Sequence, residues 1–253
     1  MYSNAYIFKY ASIMVILVAA ILSAAALLLQ PAQERNVKIE KIQDILRSAH
    51  IPSTTANAEE LYRKHIIREI VINEQGDELS VYSNGSFEKG DIRAFDVEVR
   101  AQQKIKKEKL AGKTTQEPVY PLFVCQKDND TLYIIPVYGT GLWGPIWGNI
   151  ALKSDLNTIV GATYGHKGET PGLGAEIATS EFADQFIDKT IFNNNGQFVS
   201  VAVVKGGVAG SNVEISHGVD AISGGTITSV GVDNMIEHSI ENYVPYFKKI
   251  KAI

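Results

Sequence analysis

Residues 11–29 of this 253-residue chain read A-S-I-M-V-I-L-V-A-A-I-L-S-A-A-A-L-L-L, and no charge falls between Lys9 and Glu34. About 20 apolar residues coiled as an α-helix span roughly 30 Å, the thickness of the hydrocarbon core of a bilayer. The run is too long for the apolar stretch of a secretory signal peptide. It also ends in L-L-L-Q-P, without a small-residue cleavage site. The pattern predicts one transmembrane anchor over 11–30. The flank at 1–10 carries Tyr2, Tyr6 and Tyr10, which suit a membrane interface.

Past Pro31 the apolar positions change period. Ile39, Ile42, Ile45, Leu46 and Ala49 recur at helical spacing and predict an amphipathic helix that Pro52 ends. Asn57 followed by Glu60 reads as a capped start of a second helix. Between about 66 and 100 alternation predicts short strands, as in R-E-I-V-I-N and F-D-V-E-V-R, and K-I-K-K-E-K at 104–109 reads as a solvated segment. From 119 the strand signals strengthen. V-Y-P-L-F-V-C and T-L-Y-I-I-P-V-Y-G flank a hairpin loop. I-W-G-N-I-A-L-K, N-T-I-V-G-A-T-Y-G, F-V-S-V-A-V-V-K and N-V-E-I-S follow, with helices over about 180–191 and 227–242. Strands dominate without regular βα alternation. The expected class is α+β: one N-terminal transmembrane helix, connecting helices and short strands over 31–118, and a soluble, largely antiparallel-sheet domain with flanking helices over 119–253.

The net charge of -4 and pI near 5.8 give no sign of a nucleic-acid partner. Cys125 is the single cysteine, so the chain forms no internal disulfide and holds no iron–sulfur cluster alone; in P-L-F-V-C it reads as a small buried residue. No G-x-G-x-x-G follows a strand and no phosphate-binding G-x-x-x-x-G-K-[ST] occurs. No catalytic or metal-ligating residue is assigned.

Three glycine-rich stretches hold the candidate chemistry. D-A-I-S-G-G-T at 220–226 precedes a helical pattern. A threonine on a glycine turn at a helix start is well placed to hold a phosphate, because free N–H groups of the first turn point at an anion. The same residues also fit an ordinary turn and N-cap. The other stretches are Y-G-T-G-L-W-G-P-I-W-G at 138–148 and H-K-G-E-T-P-G-L-G-A-E at 166–176. Trp143 and Trp147 suit a core or interface better than ring stacking on a cofactor. His166 is open to two readings, a proton donor or a turn residue.

In order along the chain, the anchor, Y-G-x-G-L-W-G, E-T-P-G-L-G and S-G-G-T resemble the C-type, covalent-FMN subunits of bacterial Na+-translocating NADH:quinone oxidoreductases. The equivalent flavoprotein of a ferredoxin:NAD ion-pumping complex is the next closest likeness. Gly225 stands where that family usually has alanine. The resemblance implies that Thr226, within the recognition motif of Asp220, Ser223, Gly224 and Gly225, accepts FMN through a phosphoester. It makes Thr228 a neighbour. A separate metal-dependent flavin transferase would catalyse attack of Thr226 on FAD, with AMP as leaving group. The resemblance further makes Glu169, Thr170, Leu173 and Gly174 candidate FMN contacts. It implies electron relay from NADH-linked subunits toward ubiquinone, coupled to Na+ export, with the other subunits and membrane lipid as partners. It puts the soluble domain on the periplasmic side of the bacterial inner membrane. The cation balance, Lys9 before the span against Arg35, Lys38 and Lys41 after it, points the other way. A different class, an anchored scaffold without cofactor, predicts a colourless protein indifferent to loss of Thr226.

Overall fold

The strand signals that strengthen at 119 open the middle of a sheet rather than its edge. The structure, a computed structural model, describes residues 3–251. Strands β1 (Ile66–Ile72), β2 (Glu78–Ser83), β3 (Ser86–Lys89), β4 (Tyr120–Lys127), β5 (Asp130–Thr140), β6 (Pro145–Leu152) and β7 (Ile159–His166) form one sheet. Their order is β3-β2-β1-β4-β5-β6-β7, and each neighbouring pair is antiparallel. This is the expected α+β class. The residue 118/119 boundary falls inside the sheet, because β1 pairs directly with β4 (Ile70 opposite Leu122). β4 is buried on both faces from Tyr120 to Cys125, which is why it reads as a continuous apolar run. Strands β8 (Ala202–Val204) and β9 (Gly218–Asp220) pair in parallel apart from this sheet.

The chain divides into two units, residues 1–42 and 43–253. Helix α1 (Asn4–Ser48) makes up the described part of the first and ends in the second. Pro31 lies inside this helix, not between two helices; with no N–H, it leaves the Leu27 carbonyl without its usual donor. α1 is long and apolar enough to cross a membrane, and its large apolar side chains from Ile7 to Leu29 are exposed.

In the second unit the sheet carries helices on both faces. Helices α2 (Ala58–His65), α3 (Val99–Leu110), α4 (Ser180–Ala183), α5 (Thr226–Glu241) and α6 (Val244–Lys251) complete the element set. On one face Leu122, Val124, Ile135 and Val137 join a core with Val232, Met235, Ile236 and Ile240 of α5 and Phe247 of α6. On the other, Phe123 meets the ring of Tyr62 from α2, edge to face at 6.3 Å. The close of α1 also belongs to this unit, with the Asp44 carbonyl accepting the Thr163 hydroxyl at 3.3 Å.

Several local expectations give way to tertiary pairing. F-D-V-E-V-R is not a strand: a 3-10 turn at Ala94–Asp96 leads into α3, which absorbs the lysine-rich run. The Phe95 N–H finds the Glu69 carboxylate at 3.0 Å instead of a strand. The helix expected over 180–191 stops after α4 and one 3-10 turn, because the backbone beyond it bonds to the approach to β7, Ile191 N–H to Asn157 O at 3.1 Å and Ile159 N–H to Lys189 O at 2.8 Å. F-V-S-V-A-V-V-K forms a strand only at Ala202–Val204, and N-V-E-I-S turns into a 3-10 turn at Ile215–His217. Asn57 does not cap α2 with its side chain; its Oδ1 accepts the Thr54 N–H at 2.7 Å and hydroxyl at 3.0 Å.

The N-terminal strands are tied down by one buried carboxylate. Glu69 accepts the Tyr62 hydroxyl at 3.0 Å, the Phe95 N–H, and both Nε and a terminal nitrogen of Arg93, whose guanidinium lies over the Tyr82 ring. Replacing Glu69 with alanine strands these donors, and we expect a loss of about 3 kcal/mol of unfolding free energy, measured by denaturant titration. Cys125 is fully buried, and burial pushes its thiol up to about 12. The thiolate is therefore scarce at neutral pH; the native protein should resist a maleimide that labels it at once in denaturant.

Candidate functional site

Helix α5 begins on a glycine turn. β9 ends at Asp220, whose carboxylate accepts the Val208 N–H at 2.7 Å. Gly225 N–H then closes a turn onto Ile222 O at 3.1 Å, and Ser229 N–H makes the first helical bond to Gly225 O at 2.9 Å. Gly224 has φ +75°, in the left-handed region that an L side chain rarely adopts. A Cβ there would also stand 2.6 Å from Leu173 Cδ2. No side chain caps α5. The N–H groups of Thr226, Ile227 and Thr228 have no backbone acceptor among the described residues, so the positive end of the helix is open to an anion. Thr226 is half-buried, and Ile227 beside it is exposed.

The stretch 166–176 lies directly against this turn. The Glu169 N–H donates to His166 Nδ1 at 3.1 Å, which requires that nitrogen to be unprotonated and makes His166 the organiser of the loop's start. The Thr170 carbonyl accepts the N–H groups of Leu173 and Ala175, both at 3.1 Å, while the residue itself is exposed. Leu173 is exposed, and Gly174 is buried with its nitrogen 3.3 Å from where a Gly225 Cβ would lie.

Glu169 is only 4% exposed. One oxygen accepts the Thr228 hydroxyl of α5 at 2.6 Å, the other the backbone N–H of Trp143 in the 138–148 stretch at 2.9 Å. A single carboxylate thus joins the 138–148 stretch, its own stretch and the first turn of α5, just past the third stretch. Two glycines make room for it. A Cβ on Gly141 would fall 2.6 Å from Glu169 Oε1, and one on Gly174 would fall 2.5 Å from Thr228 Oγ1 and 2.6 Å from Glu169 Oε2.

The first stretch turns from β5 into β6, closed by Gly141 N–H to Gly144 O at 2.8 Å. It presents Leu142 and Trp143 to solvent, Trp143 at 68% exposure, so Trp143 is no core residue. Trp147 packs across the strand pair over Gly165. α5 reaches this end of the sheet because Gly231 meets the Thr140 carbonyl and Gly139 meets Met235, where larger residues would collide.

Of the residues singled out in the sequence, Glu169, Leu173, Gly174, Gly224, Gly225 and Thr226 are brought together. Ser223 lies exposed on the same turn, and Asp220 directs its carboxylate to a neighbouring loop. Sequence reasoning missed the pairing of Thr228 with Glu169 and the part of Gly141. Partners 59 residues apart leave no periodic or motif signal.

Residues 141–241, which include most of the first stretch and all of the other two, match the FMN-binding domain family. The C subunit of the Na(+)-translocating NADH-quinone reductase of Haemophilus ducreyi is 34% identical over 237 residues, covering 92% of this chain and 88% of the relative. Its counterpart in Vibrio anguillarum is 32% identical, covering 91% and 89%. Among solved structures, the C subunit of the same reductase from Parabacteroides distasonis superposes with a TM-score of 0.71 at 41% identity, covering 87% of this chain and 96% of that one. Shared sequence over nearly the whole length, a shared fold and a matching flavin-binding domain lead to one conclusion: the chain belongs to the family of C subunits of the Na(+)-translocating NADH-quinone reductases.

Proposed function

We propose that Thr226 carries FMN covalently through a phosphoester, and that the domain serves as a fixed electron carrier within its reductase complex. The observation that carries this reading is the start of α5. There a threonine whose hydroxyl has no partner among the described residues opens a helix that no side chain caps, with three N–H groups free for phosphate oxygens. The phosphate would gain roughly 0.3–1 kcal/mol from the helix dipole.

The surrounding residues fit the rest of the cofactor. Leu142, Trp143, Leu173 and Ile227 offer exposed apolar surface for a planar ring system, and Thr170 offers an exposed hydroxyl. Gly224 admits the backbone conformation that brings Thr226 to the surface. When bound, the flavin supplies the redox chemistry, and the protein supplies position and electrostatics. Covalent attachment removes dissociation from the relay.

In the attachment, Thr226 Oγ1 displaces AMP from the phosphorus of the FMN half of FAD. A separate flavin transferase acts here, since the chain has no nucleotide-activating motif. Electrons then pass from NADH-linked subunits through this carrier toward quinone. α1 has no charged residue between Lys9 and Glu34, so the sodium path lies in other subunits.

Co-expressed with an active flavin transferase, the full chain should gain the mass of FMN less water on the peptide bearing Thr226, and Thr226→Ala should gain none. An unmodified wild-type protein would sink the reading. By family resemblance the domain faces the periplasm, with α1 anchored among inner-membrane lipids. A cysteine introduced at exposed Ser211 should then react with an impermeant maleimide in intact spheroplasts; protection until lysis would place the domain inside.

A further inference from the structure

Attachment at Thr226 leaves unexplained why a carboxylate is buried against Thr228, two residues further along the same helix. Glu169 makes no ion pair among the described residues; its oxygens are satisfied by two neutral donors, the Thr228 hydroxyl and the Trp143 N–H. Burying a carboxylate without a cation is costly unless such bonds are well made, so the arrangement needs a reason. Gly141 and Gly174 are the second sign of a built feature, since each lacks the Cβ that would displace one of the carboxylate oxygens. Thr228 lies two residues beyond Thr226, in the same first turn, and is 1% exposed.

We infer that Glu169 and Thr228 are positioning residues for flavin attachment. Their bond fixes the rotation of the first turn of α5 against the 166–176 stretch. This sets Leu173 against Gly224 and leaves Thr226, not Thr228, with an accessible hydroxyl. The second threonine is held out of reaction by burial and by donating its hydroxyl proton in a hydrogen bond to Glu169. The inference rests on the proposed attachment at Thr226 and assigns no contact between Glu169 and the flavin itself. The consequence is kinetic. A hydroxyl presented about 1 Å out of place can lose up to a hundredfold in rate, so loosening this turn slows attachment even where the final product is stable.

The test follows the rate and site of flavin incorporation into the full-length chain during timed co-expression with a flavin transferase. It is read by intact mass and peptide mapping, with the melting temperature of each variant taken alongside. Thr228→Val keeps the shape and removes the hydroxyl; we expect incorporation at Thr226 to slow at least about tenfold. Thr228→Ser restores the hydroxyl and should return the rate to within about twofold of wild type, a rescue that loss of packing alone would not give. Equal rates for the serine and valine variants, whatever their melting temperatures, would overturn the inference. Should Thr228→Val not accumulate as folded protein, Glu169→Gln takes its place, with the same expected loss and a wild-type rate overturning the idea. A wild-type chain left unmodified by an active transferase would instead refute attachment itself, which keeps the two failures apart.

Discussion

The carboxylate of Glu169 is the interaction on which the candidate site depends. It lies where the β5–β6 turn, the stretch after β7 and the first turn of α5 meet, and gives the three a common point. The Trp143 N–H binds one oxygen, the Thr228 hydroxyl binds the other, and the chain's own loop leaves from its backbone. Two neutral donors satisfy it, without a cation among the described residues. Loops so joined cannot move apart without stranding a buried carboxylate, a penalty larger than the worth of any one of the bonds.

The sheet places that junction. α5 crosses the C-terminal half of β5 closely because Gly139 and Gly231 remove side chains at the contact. The helix start is thereby delivered to the β5–β6 turn and to the stretch that follows β7. Glycines here are a packing device in the body of the fold and a conformational one at the turn, where Gly224 takes a positive φ. The Glu69 cluster does a similar task for the N-terminal strands, joining α2, β1 and the turn before α3 through one buried carboxylate, this time with an arginine. Two buried acids, one paired with a cation and one not, divide the labour between tying down the N-terminal strands and shaping the site.

Pro31 lies inside α1 without ending it, since a proline removes one helical hydrogen bond and the residues on both sides keep the helical course.

The long apolar helix, the strands from 119 to 166 and α5 were legible in the sequence because each is set by local periodicity or by length: a charge-free run, alternation between turn residues, a helical stripe after glycines. The order of the apolar N-terminal run and the three glycine-rich motifs, read together, was enough to indicate the family. F-D-V-E-V-R and N-V-E-I-S were misread for a common reason. Alternation shows which side chains can be buried, but a strand also needs a partner edge, and Phe95 found a carboxylate instead. In the same way the S-G-G-T resemblance singles out Thr226 over Thr228, but no rule of periodicity or capping gives the physical reason. Both are threonines at the start of one helix, and only the tertiary structure decides that the first keeps a hydroxyl without a partner among the described residues while the second is buried against Glu169. Sequence alone determined the long apolar helix, the strands from 119 to 166, α5 and the chemistry on offer. Which of those groups meet, and which are taken out of play, was decided by long-range packing, because a contact across 59 residues depends on every element folded between them.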